Sequence, residues 1–149
     1  MEKDWNETVE RLLQQPYWVI DLLPGQEPPE RAAQYFAIER YYLQEPRRSR
    51  LCQQFADVLL KLNCYHDMQV SQGHKWVKDP EPSTLQNWLT ESLSNGHLCI
   101  VLDDGEALIT ASGGDTYLTL YAPSPALLKL VETLATAVGL FVWQPLENQ

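Results

Sequence analysis

The chain has 149 residues, 44% of them apolar, and its 20 Asp and Glu outnumber its 11 Lys and Arg to leave a formal net charge of -9 at pH 7. A chain of this length buries about 68–70% of the surface its unfolded form exposes, so residues 1–149 are expected to form one domain without help from disulfides or metals. The acid excess argues against a protein that neutralises nucleic-acid phosphates, because that binding rests on Lys and Arg releasing counterions.

The longest apolar stretch, residues 134–143, is interrupted by Thr136 and Gly139 and falls short of the roughly 20 residues of a membrane-spanning helix. No membrane partner is expected from it. The opening residues Met1, Glu2, Lys3, Asp4 and Trp5 lack the basic-then-apolar pattern of a secretory signal, which makes the cytoplasm the expected compartment. Cys52, Cys64 and Cys99 are odd in number and show no CxxC spacing, so they are expected to be free thiols.

Along the chain, Trp5, Val9, Leu12 and Leu13 recur at helical spacing ahead of Pro16, predicting a short helix over residues 4–15. Residues 17–23 are a run of β-formers closed by Pro24 and Gly25, as a buried strand requires. A helix with Tyr35, Ile38 and Tyr42 on one side is predicted over residues 31–44, and a second over 48–63, where Leu51, Phe55, Val58, Leu59 and Leu62 keep one face. Residues 64–70 read as a short strand and 71–82 as an irregular loop carrying His74 and Trp76. Ser83 with Gln86 reads as a capping box opening a helix that buries Leu85, Trp88, Leu89 and Leu93 and stops at Asn95 and Gly96.

Residues 97–121 read as a three-strand meander. Strands over 98–102, 107–111 and 116–121 are separated by Asp104-Gly105, a favoured type I′ pair, and by Gly113-Gly114. With two-residue loops, Asp103 faces Glu106 and Ser112 faces Asp115. Ile100, Ile109 and Leu118 then line up, as do Leu102, Ala107 and Leu120, and one face is apolar. The other face carries His97, Cys99, Val101, Leu108, Thr110, Tyr117, Thr119 and Tyr121, with Cys99, Thr110 and Tyr117 in one row. Ser124 with Pro125 opens a last helix that Gly139 ends, and residues 140–143 form a last strand before a polar tail over 146–149. The fold class that follows is α+β: a two-layer sandwich of a mostly antiparallel sheet, with helices mainly on one face.

Chemistry-bearing patterns are sparse. Cys64 with His66, and His97 with Cys99, each share one face if both stand on strands, and two thiolates with two imidazoles meet the needs of tetrahedral zinc. The spacing belongs to no common zinc module, and cysteine ordinarily packs as a small apolar residue, so no metal or other cofactor is expected. A Cys nucleophile with His66, His74 or His97 as base is the enzymatic alternative, giving a thiol-dependent enzyme or a Cys/His metal sensor. GxSxG, HExxH, P-loop and GxGxxG patterns are absent from the sequence. Asp103, Asp104 and Glu106 read as a solvated hairpin tip. Arg40, Arg47, Arg48 and Arg50 form the one basic concentration, which reads first as a solvated helix start, with binding of an anion or an acidic partner as the alternative.

What remains is aromatic surface. Trp76 in its loop, with Thr110, Tyr117, Thr119 and Tyr121 on the uncharged meander face, is the expected partner-binding set, because Tyr and Trp bury large area while keeping a polar handle. The expected function is thus that of a small acidic, non-catalytic interaction or regulatory domain, bound to another protein or to a second copy of itself.

Overall fold

A computed structural model describes residues 3–73 and 75–146. His74 and the end of the expected polar tail lie outside the described residues. The fold class is the expected one: helices packed on a seven-stranded, wholly antiparallel sheet.

In chain order the elements are α1 (Trp5–Leu12), β1 (Tyr17–Asp21), α2 (Ala32–Tyr42), α3 (Arg47–Leu62), β2 (Met68–Ser71), β3 (Trp76–Lys78), α4 (Pro82–Asn95), β4 (His97–Leu102), β5 (Ala107–Ser112), β6 (Tyr117–Tyr121), α5 (Pro125–Ala137) and β7 (Phe141–Trp143), with a 3-10 turn at Pro29–Arg31 before α2. The strand order is β3-β2-β4-β5-β6-β1-β7. β1 therefore sits between β6 and β7 at the far end of the sheet from β2 and β3.

Strand alternation divides the sheet into two faces. Ile20, Met68, Val70, Ile100, Leu102, Ile109, Leu118 and Leu120 turn toward α3, α4 and α5 and meet Phe55, Leu59, Leu62, Leu89 and Val131 in one continuous core. On the second face α1 lays Leu12 against Val101 and Leu108, flanked by Trp5, Val9, Trp76 and Cys99. Helices thus lie mainly on one face, with α1 packed on the other. Asp4 caps α1, its carboxylate accepting from the backbone N–H of Asn6 and Glu7. The α5 start is as expected, with the Ser124 hydroxyl accepting from the Leu127 N–H and Pro125 at the first position.

Several expectations are corrected. Residues 64–66 do not belong to a strand: the N–H groups of Cys64, Tyr65 and His66 still bond back to Lys61 and Leu62 carbonyls, so the turn ending α3 absorbs them and β2 begins only at Met68. The loop over 71–82 contains β3, whose three residues are held by pairing with β2. The expected Ser83 cap is replaced by an earlier start at Pro82, with its preset φ, and Gln86 donates to the Gln53 side chain at 2.7 Å instead of closing a capping box.

The β4–β5 register is the expected one, Ile100 facing Ile109 and Leu102 facing Ala107. Its turn is not type I′, because the positive φ angles fall at Asp103 and Gly105 rather than at Asp104 and Gly105. The β5–β6 register is shifted by two: Ile109 faces Leu120 and Thr110 faces Thr119, in place of Leu118 and Tyr117. The cause is a longer connection that docks on the end of α4, where the N–H groups of Gly113 and Gly114 bond to the Gly96 and Leu93 carbonyls. A Cβ at Gly113 would stand 3.0 Å from the Gly96 nitrogen, so a larger residue would push the two segments apart. A shift of two keeps every side chain on its expected face.

Candidate functional site

α1 covers only the centre of the second sheet face. Over β6, β1 and β7 that face is bounded instead by a cleft of about 390 Å³. The row expected to hold Cys99, Thr110 and Tyr117 runs through Cys99, Thr110, Thr119, Val19 and Trp143. Thr119 and Val19 floor the cleft, and Tyr17, Tyr117, Tyr121 and Trp143 rise from the strands around them. Tyr17 and Tyr121 stack obliquely, with ring centroids 5.6 Å apart.

The far wall comes from α2. None of this helix's residues is buried, but Tyr35 and Glu39, one turn apart, are its half-buried side. The Tyr35 hydroxyl donates to Glu39 Oε2 at 3.2 Å, and Thr116 donates to the same oxygen at 3.5 Å, which ties α2 to the start of β6.

The face is not uncharged, as the meander alone suggests. β1 contributes Asp21, only 4% exposed, whose Oδ1 accepts from the Leu22 N–H at 2.7 Å and whose Oδ2 accepts from Trp143 Nε1 at 3.2 Å. Burial raises its pKa above the ordinary 3.8, opposed by the N–H groups of Leu23, Trp143 and Leu22 and reinforced by the Glu27 charge. Burial also raises Asp115, with Glu39 adding to the shift. The tyrosines respond in the same direction: desolvation first, then Asp115, Glu39 and Asp21, push Tyr117 up, while desolvation followed by the Glu39 charge pushes Tyr35 up strongly. Tyr121 is raised by burial and by Tyr17.

Of the expected partner-binding residues, the structure gathers Tyr117, Thr119 and Tyr121 around this cleft. Thr110 is 8% exposed, on β5 beneath the α1 side. Trp76 is on β3 at the opposite end of the sheet, packed with α1 and donating from Nε1 to Asn6 Oδ1 at 3.2 Å. Sequence reasoning missed Tyr17, Asp21, Tyr35 and Trp143. A signal was present in the single acid within the β-former run YWVID, but placing Trp143 beside it required knowing that β1 enters between β6 and β7.

The Cys and His candidates do not converge. Cys64 and His66 sit in the turn after α3, where His66 Nδ1 meets Asp103 Oδ2 at 2.7 Å and Cys64 is exposed. His97 and Cys99 stand at the other end of β4, with Cys99 Sγ 3.3 Å from His97 Nε2 and His97 Nδ1 3.1 Å from the Ser112 hydroxyl. Among the described residues no three His, Cys, Asp or Glu side chains are grouped to hold a metal ion. Burial pushes the Cys99 thiol up to about 11, the opposite of the shift an activated nucleophile needs.

Elsewhere, Asp104 pairs with Lys3 at 3.0 Å, and the Arg47 guanidinium lies 3.6 Å over the Tyr41 ring while its Nε donates to the Tyr41 carbonyl. Asp104 of the hairpin tip and Arg47 of the basic concentration thus have partners within the chain. No helix among the described residues is long and apolar enough to cross a membrane. No family profile, curated protein or solved structure matches this chain.

Proposed function

We propose that this chain is a non-catalytic binding module of the interaction or regulatory kind, and that the tyrosine-walled cleft over β6, β1 and β7 is the surface it uses. The observation that carries the reading is that four tyrosines and a tryptophan, drawn from β1, α2, β6 and β7, line one cleft whose floor holds a buried carboxyl group. Rigid aromatics with polar tips supply contact area at low entropic cost, and Tyr and Trp are enriched among residues that dominate binding energy.

The occupant is another protein or a second copy of this chain. A double variant, Tyr35→Ala with Tyr117→Ala, removes one wall from each of two elements without entering the core. Wild type is expected to retain a stoichiometric protein from lysate of its source cells, or to elute as a dimer in light scattering, and the folded double variant to lose it. Equal behaviour of both proteins would remove the cleft from the account of function.

A second reading, thiol chemistry at Cys99, draws on the 3.3 Å approach of His97. Against it stands a thiol raised to about 11, which leaves little thiolate at neutral pH. Rapid alkylation of Cys99 in the native protein would favour this second reading.

A further inference from the structure

Resting on the reading of the cleft as a binding surface, we propose that it accepts the guanidinium group of an Arg side chain, presented by a protein partner next to an apolar residue. Asp21 is buried and hydrogen-bonded only by neutral N–H donors, those of Leu22, Leu23 and Trp143, and among the described residues no ion pair involves Asp21, Glu27, Glu39 or Asp115. Among the described residues, those lining the cleft include two carboxylates, Asp21 and Glu27, and no Lys, Arg or His. Buried charges in proteins are ordinarily paired, so an acid without a counter-ion on the floor of an aromatic cleft favours a cation in that cleft.

Aromatic walls select the kind of cation. A guanidinium plane stacks on Tyr and Trp faces and is more weakly hydrated than an ammonium, while its rigid fork of donors matches carboxylate oxygens. The surface also continues beyond the cleft. A smaller hollow of about 160 Å³ shares Glu27 and Tyr35 with it and is lined further by Leu23, Ile38, Gln34 and Arg31, the last being its one cation among the described residues. Two adjoining subsites, one acidic and aromatic, the other largely apolar, suit two neighbouring side chains of a polypeptide better than a free small cation. The net charge of -9 attracts a basic partner over a longer range.

The probes are acetyl-Leu-Arg amide, the same dipeptide with citrulline as a neutral isostere of Arg, and methylguanidinium chloride as the free cation. Each is titrated into 15N-labelled protein while the Trp143 indole N–H, which touches Asp21, is followed and assigned by its loss in Trp143→Phe. The Arg dipeptide is expected to shift this signal saturably, the citrulline dipeptide to bind at least tenfold more weakly, and methylguanidinium to bind more weakly than the Arg dipeptide.

Asp21→Asn is expected to lose at least tenfold in affinity, and Tyr117→Leu, which keeps apolar volume but removes the π face, provides a second variant should Asp21→Asn fold poorly. Equal binding of the citrulline dipeptide, or no saturable shift with the Arg dipeptide, would overturn the guanidinium assignment. Methylguanidinium binding as tightly as the dipeptide would overturn the polypeptide source. Protein capture that still depends on Tyr35 and Tyr117 while the Arg dipeptide fails would sink this inference alone; loss of both would sink the binding-surface reading as well.

Discussion

Adjacent residues of β6 belong to opposite layers, and substituting them one at a time separates what holds the fold from what forms the cleft. Leu120 is fully buried on the helix-covered face, between Ile109 on β5 and Trp18 on β1. Thr119, its neighbour, is half-buried on the cleft floor. Truncating a buried Leu to Ala loses transfer energy and leaves a cavity, together about 2–5 kcal/mol. That is a large share of the roughly 5–15 kcal/mol that keeps a domain folded. At about 2–4 °C per kcal/mol for a chain of this size, Leu120→Ala is expected to lower Tm by roughly 4–20 °C.

Thr119→Ala removes a methyl and a hydroxyl from a surface still open to water, and its cost is expected to stay within about 1 kcal/mol. Circular dichroism melts of both variants beside wild type check the pair. Equal destabilisation, or a larger loss for Thr119→Ala, would mean that the face bearing the cleft is the packed one and would refute the division of the sheet.

Other consequences follow from single groups. Native-state thiol titration at pH 8 is expected to modify the exposed Cys64 quickly and the buried Cys52 slowly; the half-buried Cys99, with a pKa of about 11, holds about one thiolate in a thousand and reacts slowly too, so labelling of Cys99 first would contradict its raised pKa. For Asp21, the folded pKa is raised above 3.8, so the folded state holds the proton more tightly than the unfolded one. Wild-type stability relative to Asp21→Asn is therefore greatest below about pH 3.8 and falls as pH rises through the raised value. Urea melts of both proteins across that range test the sign, and a gap that moves in favour of wild type would reverse it. Removing the α5 cap with Ser124→Ala is expected to cost about 1 kcal/mol in the same melts, and no change would mean that the hydroxyl does not hold the Leu127 N–H.

Much of the fold was legible because local chemistry and packing agree. Leu51, Phe55, Val58, Leu59 and Leu62 mark α3 at helical spacing and are all buried where that spacing puts them. Ser124, Pro125 and Gly139 frame α5 by capping rules alone. The β4–β5 register survived a wrong turn type because the number of connecting residues, not the φ angles, sets the pairing. The β5–β6 register was not legible, since it depends on Gly113 docking against the end of α4, far away in sequence. β3 was illegible for a related reason: three residues carry almost no periodicity, and pairing with β2 defines them.

The candidate site divides the same way. Tyr117, Thr119 and Tyr121 follow from alternation along one strand. Tyr35, Asp21 and Trp143 reach them only through the placement of α2 and the insertion of β1 between β6 and β7, which no local pattern encodes. The Cys64–His66 pairing failed because two strand-like residues after a helix can equally extend its last turn, and the backbone bonds to Lys61 and Leu62 take them there.

Site-specific photocrosslinking in the source cells tests the cleft as the binding surface most directly. p-Benzoylphenylalanine replaces Tyr35 on the cleft wall in one protein and Gln53, exposed on α3, in another. A discrete adduct from position 35, absent from position 53, is the expected result. No adduct from position 35, or the same adduct from both positions, would contradict a binding surface over β6, β1 and β7.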